Sequence, residues 1–346
     1  MSGLGTRQRL GPGPNDPTQL AATEHAPRGT GPRAGADERT TERGSRRATP
    51  VARGVQTRDG AATKRRGWSA NSSALVVKLG GRALEAPGAL REFAAALREA
   101  GSPGGSARAT LVIHGGGAEV TAWCMRAGLT PRFADGLRVT DADTLEIVAA
   151  VLAGLANKRL VATLRAHGID AVGLAALDGG IARARRHTDA ATLGEVGEIE
   201  SVDTALLTTL LDAGRVPVLA SLGDDGAGAL LNLNADDVAA AVAAALPARD
   251  LVLLSDTPGL LLNGTVVPTL DEAELAGVLM NEAAVTGGMR PKLRAAQTAL
   301  AAGVRRVIIA AWQGPGTLAA LLAGNATATT LGAMRTASAR PEESHV

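Results

Sequence analysis

The chain has 346 residues, 45% hydrophobic and 20% charged, which suits one large or two modest globular domains with a sizeable core. Aromatic residues make up only 1%, too few to build stacking platforms for single-stranded nucleic acid; one cysteine, Cys124, excludes an internal disulfide and a cysteine-built zinc site. The formal charge of +2 joins two unlike parts, because residues 1–70 carry 13 Lys+Arg against 6 Asp+Glu while the remainder carries 23 against 28; a basic pI of 9.1 therefore describes the first segment and gives no ground for nucleic-acid binding by the rest.

Residues 1–72 contain six prolines and eleven glycines and no apolar periodicity. Such a segment buries too little apolar surface to offset its ordering entropy, so it is expected to be a disordered basic Pro/Gly/Arg-rich extension. It lacks the amphipathic pattern of a transit peptide and the apolar stretch of a secretory leader, and a cytoplasmic location is expected. The longest apolar run near the middle of the chain, Val238 to Leu246, is too short to span a bilayer, so no membrane association is expected.

From Ala74 onward short apolar runs recur at 74–79, 109–114, 171–174, 216–222, 250–255 and 305–310, separated by alanine- and leucine-rich stretches with helical spacing. Strands alternating with helices imply a mostly parallel sheet covered on both faces. Within 141–155, Leu145, Val148, Leu152 and Leu155 share one helical face, and Asp141 suits the helix start, where free N–H groups and the helix dipole favour an acceptor. Two patches read as hairpins. In 181–202 a basic arm with Arg183, Arg185 and Arg186 faces an acidic arm with Glu195, Glu198 and Glu200; in 259–268 the pair Asn263-Gly264 is a two-residue turn signal.

Lysine is the most informative residue type. There are four, Lys64, Lys78, Lys158 and Lys292, in a chain that uses arginine for nearly every other cation, so a retained lysine points to a need for a compact ammonium. Lys78 ends an apolar strand just before Gly80-Gly81, and Lys292 follows Gly287-Gly288 and opens a helical stretch. Both arrangements let backbone N–H groups approach a phosphate closely. A third glycine cluster, His114 to Gly117, lies between a strand and a helix and forms a seat for a carboxylate or phosphate. The same four-residue string occurs as an oxyanion hole in esterases, but those need a G-x-S-x-G nucleophile elbow, which is missing here; His114 therefore reads as a packing or orienting residue. Walker, Rossmann and transition-metal spacings are also missing. In 230–237 the amides of Asn232 and Asn234 face one side of an extended segment, and Asp236 begins an alanine-rich helix, either as its cap or as a carboxylate that organises lysines. Arg138, between Gly136 and a helix start, is placed to grip a carboxylate.

The stretches VVKLGG (76–81), VIHGGG (112–117), FADGLRVTDADTLEIVAAVLAGLANKRLV (133–161), LLNLNADD (230–237), LLSDTPGLL (253–261) and GGMRPKLRAA (287–296) together resemble the amino acid kinase family, in its branch that phosphorylates N-acetyl-L-glutamate. The resemblance covers about 74–331. It implies a three-layer α/β/α sandwich with an eight-stranded, mostly parallel central sheet over 73–332, divided into an acceptor-binding lobe (73–246) and a nucleotide-binding lobe (247–332), with 333–346 a disordered tail. It implies transfer of the ATP γ-phosphate to the acceptor's side-chain carboxylate, in the second step of arginine synthesis. By motif, Lys78 and Lys292 would meet the phosphates and Asp236 would hold the two lysines. Gly116, Gly117, Arg138 and Asn232 would bind the acceptor. Gly80, Gly81, Asp256, Thr257, Gly259, Leu260, Leu261, Val285 and Thr286 would line the nucleotide site. Mg²⁺ would arrive with ATP rather than in a protein cage. A homodimer is implied, without the N-terminal helix of arginine-inhibited hexamers. The alternatives are a kinase for carrier-bound α-aminoadipate, for which Arg183, Arg185 and Arg186 would serve, and a non-catalytic binding relative.

Overall fold

The computed structural model describes residues 74–80, 88–100, 109–281, 285 and 287–332. The expectations for 1–72 and 333–346, and the positions of Gly81 and Thr286, lie outside the described residues. The main sheet has eight strands, in spatial order Thr269–Leu270, Thr329–Gly332, Arg306–Ala311, Asp250–Ser255, Leu75–Leu79, Thr110–His114, Val216–Ala220 and Ala171–Ala175. Every neighbouring pair is parallel except Arg306–Ala311 with Thr329–Gly332. The expected α/β sandwich with a mostly parallel sheet is the observed architecture.

The central strands are apolar throughout because helices cover both faces. The pleat sends alternate residues to opposite sides. Val76, Leu111, Ile113, Leu251 and Leu253 pack on one face with Val238, Val242, Leu293 and Ala296, which belong to helices Ala235–Ala245 and Met289–Ala301. Leu75, Val77, Leu79, Val112, Val252 and Leu254 pack on the other with Phe93, Leu160 and Leu318, from helices Ala89–Ala100, Asn157–Ala166 and Thr317–Ala323. This parity decides where the chemistry lies. Lys78, two residues after Val76, faces helices 235–245 and 289–301. His114, two residues after Val112, faces the opposite layer.

Both sequence hairpins are present. Ala182–Arg186 pairs antiparallel with Val196–Val202, and these strands close a small barrel with Leu222–Asp224 and Leu230–Leu233. Leu261–Leu262 pairs with Thr265–Val266 around Asn263 and Gly264, both at positive φ, as a two-residue primed turn requires. A third hairpin, Phe133–Ala134 with Leu137–Arg138, turns at Asp135-Gly136, again at positive φ.

The helical stretch from Ala142 differs from its sequence reading in one respect. Asp141 caps it as expected, accepting from the Thr144 N–H at 2.9 Å. Residues Ala150–Ala156, however, form a π-helical segment, whose wider turn shifts every later side chain around the axis. Leu155 is consequently 47% exposed, and Asn157 is fully buried instead. The whole run Ala142–Ala166 is long and apolar enough to cross a membrane by length and composition alone, a feature the shorter Val238–Leu246 run does not have. Here it packs within the protein, through Val148, Val151, Leu152, Leu160 and Leu164.

Candidate active site

The site lies at the carboxyl ends of the three central parallel strands, where an open α/β sheet leaves a crevice. A cavity of about 270 Å³ there is lined by Lys78, Gly80, Gly115, Gly116, Gly117, Arg138, Asn232, Asp236, Gly288 and Lys292, among others. Segments separated by more than 200 residues thus share one wall.

Asp236 is the centre of the charge arrangement. Its helix is capped not by itself but by Asn234, whose side-chain oxygen accepts from the Asp236 and Asp237 N–H groups. The Asp236 carboxylate is thereby released from capping and bridges two cations, with Lys78 Nζ 2.8 Å from Oδ1 and Lys292 Nζ 3.0 Å from Oδ2. Lys78 and Asp236 are 5% and 4% exposed. Burial pushes the Lys78 ammonium below its ordinary value, and the Lys292 charge adds to this while Asp236 opposes it. Burial also acts against the Asp236 carboxylate, but the two ammonium groups together hold it below the ordinary range. One carboxylate is thus shared by two ammonium groups, and all three side chains line the cavity. A side chain at Gly80 would overlap the Lys78 ammonium, which gives this glycine a steric reason.

The opposite wall is the glycine loop and the Phe133–Arg138 hairpin. Arg138 is 8% exposed; its Nη2 donates to Gly117 O at 2.7 Å and Thr121 Oγ1 at 2.6 Å, and the guanidinium lies over the Phe133 ring, 4.7 Å from its centroid. Nη1 is buried with no hydrogen-bond partner among the described residues, an uncommon state for a buried donor. Asn232 donates to Thr140 Oγ1 at 2.9 Å. Phe133 carries no chemical group that marks it in the sequence; the Asp135-Gly136 turn dipeptide is the signal for its hairpin.

The nucleotide residues are less uniformly placed. Gly80 lines the cavity; Asp256, Thr257, Gly259, Leu260, Leu261 and Val285 do not. Asp256 lies close enough to Lys78 to favour its charged form. Thr257 donates its N–H to Ser255 Oγ, at 3.1 Å, in a turn after the strand. Gly259 permits the approach of Thr329, whose hydroxyl accepts from Leu260 N at 2.7 Å. Leu260 and Val285 are buried in the core and Leu261 is 42% exposed. Arg185 and Arg186 are ion-paired across the barrel hairpin with Glu198 and with Glu195 at 2.6 Å.

Comparisons with known proteins place the chain among its relatives. The chain is 47% identical over 213 residues to an acetylglutamate kinase of Methanopyrus kandleri, covering 59% of this chain and 87% of that protein. It is 42% identical over 236 residues to an acetylglutamate kinase of Chloroflexus aurantiacus, covering 68% and 90%. Among solved structures it resembles an N-acetylglutamate synthase of Neisseria gonorrhoeae complexed with coenzyme A and N-acetyl-glutamate, with a TM-score of 0.66, 29% identity, and coverage of 76% of this chain and 60% of that one. A family model described as the amino acid kinase family matches residues 73–311, so the lysines that share Asp236 sit on a known scaffold, and the chain belongs to the amino acid kinase family.

Proposed function

We propose that the protein is an acetylglutamate kinase, a phosphotransferase with a carboxyl acceptor. It transfers the γ-phosphoryl group of ATP to the side-chain carboxylate of N-acetyl-L-glutamate, giving N-acetyl-L-glutamyl 5-phosphate for arginine synthesis. The observation that carries the reading is the Asp236 carboxylate holding both the Lys78 and Lys292 ammonium groups on the cavity wall; relatives named for this activity, at 42% and 47% identity, support the acceptor.

The chemistry asks for little covalent help. A carboxylate nucleophile has no proton to lose, so the enzyme needs positioning and charge compensation. Two anions that repel each other are held in line by Lys78 and Lys292 on the phosphoryl side and by the glycine N–H groups opposite. Arg138 clamps the acceptor's α-carboxylate and Asn232 meets its other end. Mg²⁺ carried in with ATP would supply neutralisation of phosphate charge. The nucleotide lies along Gly80 and the segments after residue 255, so 247–332 serves mainly the nucleotide and 73–246 mainly the acceptor. A cytoplasmic homodimer completes the reading.

The test is ATP-dependent hydroxamate formation with N-acetylglutamate, glutamate and α-aminoadipate as rival acceptors. Signal with N-acetylglutamate above the other two is expected. Preference for aminoadipate would move the acceptor, and silence with all three would leave a non-catalytic binding protein.

A further inference from the structure

His114 and Asn157 form a buried polar pair that the proposed mechanism does not use. Both are fully buried. The side chain of His114 points into the layer opposite Lys78, so it cannot reach the reacting groups. Its Nδ1 is 2.8 Å from the carbonyl oxygen of Gly115, and its Nε2 is 3.1 Å from Asn157 Nδ2.

The hydrogen positions follow from the network. Asn157 Nδ2 also faces Leu174 O at 3.2 Å and Val218 O at 3.0 Å, and Asn157 Oδ1 accepts from Lys158 Nζ at 3.1 Å. Two carbonyl acceptors on one side and an ammonium donor on the other fix which end of the amide is which. The Gly115 carbonyl oxygen can only accept, so the ring proton is on Nδ1 and Nδ1–H donates to Gly115 O; the bare Nε2 then faces Asn157 Nδ2, whose two hydrogens are shared among it and the Leu174 and Val218 carbonyls. Burial pushes the imidazole down to about 4, so it holds this neutral form at ordinary pH.

The consequence is felt across one peptide bond. The Gly115 carbonyl and the Gly116 N–H belong to the same planar trans unit and point in opposite directions. Fastening the carbonyl toward the imidazole turns the N–H away from it. Gly115, Gly116 and Gly117 line the cavity; the Gly115 N–H donates to Leu79 O and Gly116 O accepts from the Val120 N–H, and between these two anchors the glycines leave the Gly115–Gly116 peptide plane room to turn. We propose that His114 and Asn157 are positioning residues that lock the Gly115–Gly116 peptide plane and so present the Gly116 N–H to the anion in the cavity. Asn157 gains its place through the π-helical segment before it and through Gly173, where any side chain would overlap its Oδ1. Which anion the N–H meets rests on the acetylglutamate kinase reading; the locked tautomer does not.

Two measurements separate the claims. Long-range ¹H–¹⁵N spectra of histidine-labelled wild-type protein, with the His114 signal assigned by its loss in His114→Asn, should show a neutral ring protonated at Nδ1. A ring protonated at Nε2, or a charged ring at pH 7, overturns the lock whether or not the protein is a kinase. In turnover, His114→Asn retains an amide donor near the Nδ1 position, whereas His114→Gln moves it to the Nε2 position. His114→Gln is expected to lose about 10²-fold in kcat/KM, as for removal of one oriented anion donor, and His114→Asn to recover most of that loss at a similar melting temperature. Equal loss of activity in both variants, in step with lost stability, would make the pair merely structural. Wild-type protein silent with every acceptor would remove the proposed reaction and leave the spectral test standing.

Discussion

At the scale of residues, the decisive feature is a carboxylate with two ammonium partners, and the two walls of the cavity should respond differently to truncation. Lys292 meets charge that develops on the transferring group, so Lys292→Ala is expected to lower kcat by about 10²- to 10³-fold with little change in KM, on the scale of losing one electrostatic donor. Arg138 meets a carboxylate that does not change during reaction, so Arg138→Ala is expected to raise the acceptor's KM and leave kcat nearer its original value. Steady-state kinetics of the two variants check this; parallel effects on both parameters would contradict the assigned roles. Titration gives a second expectation. The His114 ring sits near 4 against an ordinary 6.5, held down by burial, with Glu119 favouring and Lys158 and Arg159 opposing its protonation. Between those values the unfolded chain binds a proton that the folded chain does not, so the stability is fully present above about pH 6.5 and falls as pH drops toward 4. The total is about 3 kcal/mol for a shift of this size. Urea unfolding from pH 7 to 4.5 should show a steeper loss for wild type than for His114→Asn.

At the scale of elements, the parity of the central strands explains both what the sequence revealed and what it concealed. Lysine scarcity and glycine neighbours pointed to Lys78 and Lys292, and the strand-then-helix pattern of 230–237 pointed to Asp236; all three meet. Asn234 was legible as an amide on an extended segment but not as the cap that frees Asp236, because Asn and Asp compete for the same cap and only the observed backbone decides between them. The π-helical segment was invisible for a related reason. Its residues have ordinary helical spacing, and tertiary packing, not local propensity, selects the wider turn. Gly173 is its counterpart on the edge strand Ala171–Ala175, where an added Cβ would overlap Asn157 Oδ1 and lie 2.8 Å from Val161 Cγ2. Gly173→Ala is accordingly expected to push helix Asn157–Ala166 off the sheet and to cost about 1–3 kcal/mol by overpacking, read as a lower urea midpoint with kcat/KM reduced through the displaced His114 pair. An unchanged midpoint would mean that the helix yields without cost.

At the scale of the whole molecule, charge offers a test that needs no structure of the first segment. Residues 1–70 carry 13 basic and 6 acidic side chains, while the remaining residues carry 23 and 28. The kinase machinery argued above uses only residues after 74, and none of its cations comes from the first segment. Deleting residues 1–72 should therefore reverse the sign of the net charge, from +2 for the full chain to negative, and reverse the direction of electrophoretic migration at pH 7. It should leave kcat and both KM values essentially unchanged, because the machinery draws no group from that segment. The two readings are independent: migration tests the arithmetic, and kinetics test whether the basic segment contributes to an anion site. A fall in nucleotide KM for the full chain relative to the truncated one, vanishing as salt is raised, would show that the segment draws ATP toward the cavity and would add an electrostatic funnel to the mechanism.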